Sequence, residues 1–125
     1  MEERGIEHHG SYVSVDCRNA DAALWTERSR ALAMVCIRRS VDRVLVDASD
    51  CEPAGHYALR DALTAMVLGE VSSGLRLALV TNVSSLAALF GVLQRELEWM
   101  NVPARCFGQR GEAVAWLVGP PRAVL

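Results

Sequence analysis

The stretch RVLVD, residues 43–47, decides the fold, because it is a short aliphatic, β-branched run of the kind that forms a buried parallel strand. Two similar runs follow it, LRLALVT at residues 75–81 and the start of PARCFGQRGEAVAWL at residues 103–117. A helical pattern comes after each run. The sequence therefore predicts a single small α/β domain, with a mostly parallel sheet of four or five strands and crossover helices packed against it.

The amino-terminal part predicts one more strand and a helix. YVSVDC, residues 12–17, alternates in polarity, which predicts a strand whose wetter face carries Ser14 and Asp16. A helix is expected from about residue 19 to residue 39. Arg28 falls inside its apolar stripe, so we expect its stem to pack there and its guanidinium to reach water.

Three further helices are predicted downstream, at residues 55–68, 84–100 and 111–117. The middle one has the clearest apolar stripe, and Ser84 is expected to cap it. Residues 104–107 are the predicted last strand. The expected organisation is a flexible arm at 1–10, the domain at 11–118 and a tail at 119–125.

Composition argues against several functions. The chain has 125 residues and a net charge of -2, and all 13 of its basic residues are arginine, spread along the chain. We therefore expect no nucleic-acid partner and no chemistry that needs a lysine.

The four cysteines form no CxxC pair, so neither a metal site nor a cofactor is expected. There is no apolar run long enough to cross a bilayer, and a charged amino terminus replaces a signal-peptide pattern, which predicts a cytoplasmic protein without membrane insertion.

From residue 43 to residue 117 the chain resembles the STAS (sulfate transporter and anti-sigma factor antagonist) superfamily, in particular its SpoIIAA-like branch. The resemblance rests on three stretches: VLVDASDC, LRLALVTNVSSLAALF and RCFGQRGEAVAWL. These are patterns of core residues, so they bear on fold more than on role. The resemblance implies a SpoIIAA-like fold in a bacterial protein, a scaffold used for protein contacts and, in some relatives, for holding a small ligand.

The chain departs from the regulatory members of that family in one loop. Those members carry a kinase-phosphorylated serine in an Asp-Ser-Ser/Thr-Gly motif after the VLVD-like strand. Here the loop reads DASDCEPAG, residues 47–55, with Ser49 close to the strand and acidic Asp50 and Glu52 behind it. We therefore expect no phosphate-dependent switching. In addition, only one predicted strand precedes the first helix, where classical members have more.

Polar side chains follow the predicted strands at their carboxyl ends, where open α/β sheets usually bind ligands. The candidate rim or ligand contacts are Ser49, Asp50, Cys51, His56, Thr81, Asn82 and Ser84. The helix start at Ser84 favours an anion, although the acidic loop at residues 50–52 opposes one and ordinary capping is the simpler interpretation.

Two constellations within this rim have alternative interpretations. Asp47 and Thr81 are arranged as in a phosphate-accepting receiver domain, but without a lysine we expect Asp47 to accept local backbone N–H bonds instead. Cys51, Glu52 and His56 are compatible with a nucleophile and its base or with a metal site, and a packed histidine is the simpler expectation. We predict no catalytic residues, because base, nucleophile and oxyanion donors in recognisable spacing are missing.

The helix predicted at residues 84–100 has apolar residues on the side away from its core stripe. At about 100° per residue, this outer stripe comprises Ala88, Val92, Arg95 and Trp99. It is the candidate protein interface, with a second copy of the chain as the favoured partner, because a two-fold contact needs only one self-complementary patch. Alternatively, the helix from residue 111 or the Pro-Pro tail covers it.

These observations predict a non-enzymatic STAS-like module that acts through protein contacts, including contacts with itself as a homodimer. The alternative is a domain that binds a small or lipophilic ligand between the rim loops and the first two helices. A continuous apolar cavity favours the ligand-binding function, and a full core with an exposed apolar helix face favours the protein-binding function.

Overall fold

The computed structural model describes residues 5–18, 22–39, 42–50 and 75–119. Within these residues the strands are β1 (Ile6–His8), β2 (Val13–Asp16), β3 (Arg43–Asp47), β4 (Arg76–Val80) and β5 (Ala104–Phe107). The helices are α1 (Ala22–Arg39), α2 (Ser84–Trp99) and α3 (Arg110–Val118). The helix predicted at residues 55–68 and residues 120–125 of the predicted tail lie outside the described residues.

The five strands form one sheet in the order in which they occur along the chain. β1 pairs antiparallel with β2, and the other neighbours pair in parallel, with Val46 beside both Val15 and Leu79. The predicted small α/β domain with a mostly parallel sheet is confirmed, and the sheet has five strands. β5 has the predicted bounds.

Helices pack on both faces of this sheet, because successive strand residues point to opposite sides. α1 and α2 cover one face, where Leu32 and Phe90 join the core formed by Val15, Val46 and Leu79. α3 covers the other face through a smaller cluster, which comprises Leu45, Ala78, Val80, Ala113 and Leu117. The outer side of α2 and the whole of α3 therefore lie on different sides of the molecule.

The expectation of a loose arm over residues 1–10 is wrong for β1. Ile6 is only 3% exposed and belongs to the main core, and β1 adds an antiparallel edge to the sheet. Gly5, at φ +79°, accepts a bond from Asp16 N–H at 2.7 Å. The segment is therefore held by the burial of Ile6 and by the pairing of β1 with β2, although its sequence shows no periodicity.

Two local expectations also fail. Ser84 does not cap α2: it is already the first residue of the helix, and Val83, whose side chain has no hydrogen-bond acceptor, occupies the N-cap position. The Arg28 guanidinium does not simply reach water, since its Nη1 donates to the Asp16 carbonyl and its Nε is buried without a hydrogen-bond partner among the described residues. The end of β2 lies close enough to draw the cation inward.

Arginines from the amino-terminal ends of two strands hold the carboxyl end of α3. Arg43 Nη1 donates to the Leu117 carbonyl at 3.1 Å, and Arg76 Nη2 donates to the Trp116 carbonyl at 3.3 Å. The Arg76 guanidinium also lies 4.4 Å from the centre of the Trp116 ring. Cations suit the negative end of a helix dipole, and fixing this end places the opposite end of α3 at the rim.

Candidate functional site

The centre of the rim is the carboxylate of Asp47, at the end of β3, which is 4% exposed. Its Oδ1 accepts bonds from Ser49 N–H at 3.1 Å and from Ser49 Oγ at 2.8 Å, so the predicted local backbone bond is present. Its Oδ2 accepts a bond from Arg110 Nη1 at 3.1 Å. Since a buried carboxylate needs hydrogen bonds and an opposite charge, these contacts explain how Asp47 is accommodated.

Arg110 extends this cluster to the middle of β2. Its Nη2 donates to Ser14 Oγ at 3.2 Å, and Ser14 also contacts His9 Nε2 at 2.8 Å. The His9 ring stacks on Tyr12 at 4.4 Å. We call Ser14, Asp47, Ser49 and Arg110 the rim network. Ser14 is 2% exposed, so the predicted wetter face of β2 is wrong at this residue, because Arg110 and His9 both reach it.

The loops after β3 and β4 are tied to each other beside this network. Asp50, at φ +58°, donates its N–H to Asn82 Oδ1 at 2.8 Å, and Asn82 Nδ2 donates back to Asp50 Oδ1 at 3.0 Å. Thr81 Oγ1 donates to the Ala48 carbonyl at 3.0 Å. The structure thus brings together four predicted rim residues: Ser49, Asp50, Thr81 and Asn82.

Of the remaining predicted rim residues, Ser84 does not join them. Ser84 is exposed and is the first residue of α2. Cys51 and His56 lie outside the described residues. Conversely, the sequence did not predict three of the residues that lie at the rim, namely Ser14, His9 and Arg110. The sequence around each of them carries no motif that marks a site. Within the part of the chain that the structure describes, no group of three or more His, Cys, Asp or Glu side chains is placed to hold a metal ion.

A second charged pair lies next to the rim network, at the end of β2. Arg18 Nε and Nη2 donate to the two carboxylate oxygens of Asp16 at 3.0 and 2.9 Å. These hydrogen bonds lower the pKa of Asp16 and raise the pKa of Arg18. On β5, burial raises the pKa of the Cys106 thiol to about 11, so this thiol stays protonated near neutral pH and is a poor nucleophile.

The polar groups of the rim network are hydrogen-bonded to one another. Ser14 and His9 have the separation of a nucleophile and its base, but the hydroxyl is almost fully buried and already accepts from Arg110. The Ser49 hydroxyl donates to a carboxylate rather than to a histidine. Asp47 is held by a serine and an arginine. The arrangement joins β2, β3 and α3 and supports the loops that follow the strands.

The outer stripe lies on the exposed side of α2. The helix buries Leu86, Phe90, Leu93 and Leu97, whereas Ala88 and Arg95 are exposed. Val92 is 48% exposed and Trp99 is 89% exposed. The alternative that the last helix covers this side is wrong, because α3 packs on the opposite face of the sheet. The Pro-Pro tail lies outside the described residues.

No family model, curated protein or solved structure matches this chain. Across residues 5–18, 22–39, 42–50 and 75–119, no helix combines the length and the apolar character that a membrane span requires.

Proposed function

We propose that this chain is a non-enzymatic, STAS-like regulatory module that binds a protein partner through the outer stripe, in the cytoplasm. The observation that carries the proposal is Trp99, which exposes 89% of its surface on a well-packed helix. A large aromatic side chain in water is unfavourable, and Trp and Arg are favoured anchors of protein interfaces. Exposed apolar groups with polar surroundings mark partner sites.

The position of the outer stripe supports this proposal. Four side chains on the opposite side of α2 are buried in the main core, so the fold does not need the outer stripe for its own packing. α2 packs on the sheet through these buried side chains, so the stripe lies on a regular helix and not on a loop. A rigid surface binds with a smaller loss of conformational entropy than a mobile one.

The fold gives coarser support to the STAS resemblance. The sequence predicts one strand before the first helix, fewer than in classical members, whereas β1 and β2 both precede α1. This start with two strands supports the proposal at the one departure that concerns strand number. The other, the DASDCEPAG loop without the acceptor motif, remains and argues for a partner contact that does not depend on phosphorylation.

The rim network supports a non-enzymatic role. Its carboxylate, guanidinium and hydroxyl groups bind one another at 2.8 to 3.2 Å, so a substrate would have to displace existing hydrogen bonds before binding. Breaking such bonds in a buried site costs free energy that the substrate has to restore.

Affinity purification from the native cell tests the proposal, with mass spectrometry of both proteins and co-purified small molecules. The baits are the wild-type chain, Trp99→Glu, and Ala87→Glu as a matched control that adds the same charge on the exposed flank of α2. We expect the wild-type and Ala87→Glu baits to retain the same partner protein and the Trp99→Glu bait to lose it. A second copy of this chain counts as such a partner.

Two results contradict the proposal. If all three baits retain the same proteins, the outer stripe is not the binding surface. If a small molecule co-purifies with all three baits and no protein depends on Trp99, the ligand-binding alternative replaces the protein-binding function.

A further inference from the structure

The spacing of the outer stripe is that of a seam between two helices. Its four residues follow each other at intervals of four, three and four positions, which is the repeat that keeps one side of a helix facing a partner helix in a coiled coil. All four are exposed along about three turns of α2. The occupant that this pattern fits best is therefore another helix.

The sizes of the four side chains allow the outer stripe to pair with a reversed copy of itself, because the largest side chain then stands opposite the smallest. Ala88 and Trp99 stand at its two ends, and Val92 and Arg95 stand between them. When a second α2 lies antiparallel across the first, each Trp99 covers Ala88 of the second copy, and each Val92 meets the stem of Arg95. The bulky side chain is thus opposite the small one at both ends of the seam.

A parallel pairing of the same stripe is unfavourable. It places Arg95 opposite Arg95 of the second copy, and like charges at close range repel each other. It also stacks two Trp99 side chains at one end and leaves two alanines facing each other at the other end. The antiparallel orientation separates the two Arg95 charges along the seam and avoids both mismatches.

Gly91 supplies an independent observation beside the stripe. A glycine in the middle of a helix is destabilising relative to alanine. Among the described residues, a Cβ at Gly91 would meet nothing within 4 Å, so packing against them does not require the glycine. It lies next to Val92, on the flank of the seam, where a missing side chain permits close approach of a second backbone.

We infer that the outer stripe binds a second copy of this chain in an antiparallel, two-fold symmetric contact, with Trp99 of each copy packed on Ala88 of the other. The inference rests on the proposed function, because both use the outer stripe. One helix from each copy forms a contact smaller than the about 800 Å² per partner of a standard interface, so a weak dimer that dissociates on dilution is expected.

A double-mutant cycle measured by sedimentation equilibrium tests the register. Ala88→Trp sets two indoles against each other and Trp99→Ala removes the anchor, so each variant is expected to weaken dimerisation by at least about tenfold. The double variant Ala88→Trp/Trp99→Ala exchanges the large and small partners and is expected to restore dimerisation to within about threefold of the wild type. Ala87→Trp adds the same side chain off the seam and leaves dimerisation unchanged.

Gly91→Ala provides a second measurement, because it is expected to stabilise the fold and to weaken dimerisation. At concentrations where the chain is monomeric, it raises the melting temperature, because alanine favours the helix and its Cβ has space. It weakens dimerisation, because the Cβ separates the two helices.

A wild-type chain that stays monomeric at high concentration overturns the inference, and so do additive effects of Ala88→Trp and Trp99→Ala. If the chain is monomeric but a different protein from the native cell requires Trp99, the inference fails and the proposed function stands. If no protein of any kind requires Trp99, both fail.

Discussion

Arg110 Nη1 lies 3.1 Å from Asp47 Oδ2 and so joins the first residue of α3 to the last residue of β3, 63 positions apart in sequence. The same guanidinium reaches Ser14 on β2. One side chain therefore connects two strands and a helix that local sequence patterns do not relate. The rim network depends on this residue more than on any of the predicted rim residues.

Replacing Arg110 is expected to destabilise the fold. Arg110→Met keeps much of the stem but removes the cation bound to the buried Asp47 carboxylate and the hydrogen bond from Arg110 Nη2 to Ser14 Oγ. Because Arg110 is partly exposed, we expect a loss in the free energy of unfolding of about 2 kcal/mol, below the cost of breaking a fully buried pair. Urea denaturation near neutral pH measures it.

Arg105→Met is the control for this variant, since Arg105 is exposed on the neighbouring strand β5. Its expected effect is below about 0.5 kcal/mol. Equal losses for the two variants would show that the contacts to Asp47 and Ser14 contribute no stability.

Alanine substitutions at the two glycines that flank β1 test how this strand is held in the fold. Gly5 has φ +79° and Gly10 has φ +85°, so alanine is strained at both. At Gly5 the new Cβ would also lie 2.7 Å from Arg28 Nε, whereas at Gly10 nothing lies within 4 Å. We expect Gly10→Ala to cost about 1 kcal/mol and Gly5→Ala to cost more, by thermal unfolding.

Comparing Gly5→Ala with Gly10→Ala isolates the effect of the contact between the new Cβ and Arg28, because the two glycines have similar positive φ angles. If Gly5→Ala costs no more than Gly10→Ala, the side chain of Arg28 moves away freely and does not hold β1 in place.

The pair formed by Asp16 and Arg18 makes stability depend on pH in a defined direction. Since the hydrogen bonds from Arg18 lower the folded-state pKa of Asp16 below 3.8, the pair stabilises the fold above that value. The stabilisation is lost as the pH falls through the folded-state pKa. Arg18→Ala is therefore expected to be less stable than the wild type near neutral pH and to match it in strong acid.

Two measurements check this expectation. NMR titration of the Asp16 carboxyl carbon should show its pKa rising toward 3.8 in Arg18→Ala. Chemical denaturation over a range of pH should show the difference between the two proteins disappearing below that value. A difference that persists in strong acid would mean that Arg18 stabilises the fold by some other contact.

Ser49 is expected to carry no phosphate in protein isolated from the native cell. Its Oγ donates to Asp47 Oδ1 at 2.8 Å, so a phosphoryl group would place two more negative charges beside a buried carboxylate. Asp50 follows directly in the chain. Peptide mass spectrometry decides this, and stoichiometric phosphate on Ser49 would restore the phosphorylation switch of the regulatory STAS members.

A pair of variants tests the same repulsion without a kinase. Ser49→Ala removes one hydrogen bond, whereas Ser49→Asp also adds a charge next to Asp47. The aspartate variant is expected to be the less stable by about 1 kcal/mol in urea denaturation. Equal stability would show that the site accepts negative charge.

Several elements were predictable from the sequence because burial imposes a local periodicity. β3 and β4 are short aliphatic runs, and the apolar stripe of α2 repeats at helical spacing, so each could be recognised within one segment. The gathering of Ser49, Asp50, Thr81 and Asn82 at one edge was also predictable, because the carboxyl ends of parallel strands lie together.

Other features could not be predicted, because they depend on which segments meet in three dimensions. β1 is ordered by pairing with β2, although its own sequence has no strand pattern. α2 begins at Ser84 with Val83 at the N-cap position, and Thr81 Oγ1 accepts from the N–H of Val83, because of the path that the chain takes from β4 into α2. Local propensity does not report on such contacts.

The sequence by itself determined the α/β class, the strands β3 to β5 and the two sides of α2, since each follows from the pattern of apolar residues along one segment. Only the tertiary structure decided that α3 lies on the sheet face opposite α2. That placement brings Arg110 to Asp47 and to Ser14, 96 positions away, and leaves the outer stripe uncovered by α3. The physical reason is that periodicity specifies which side of a segment is buried, whereas the partner it is buried against depends on the whole chain.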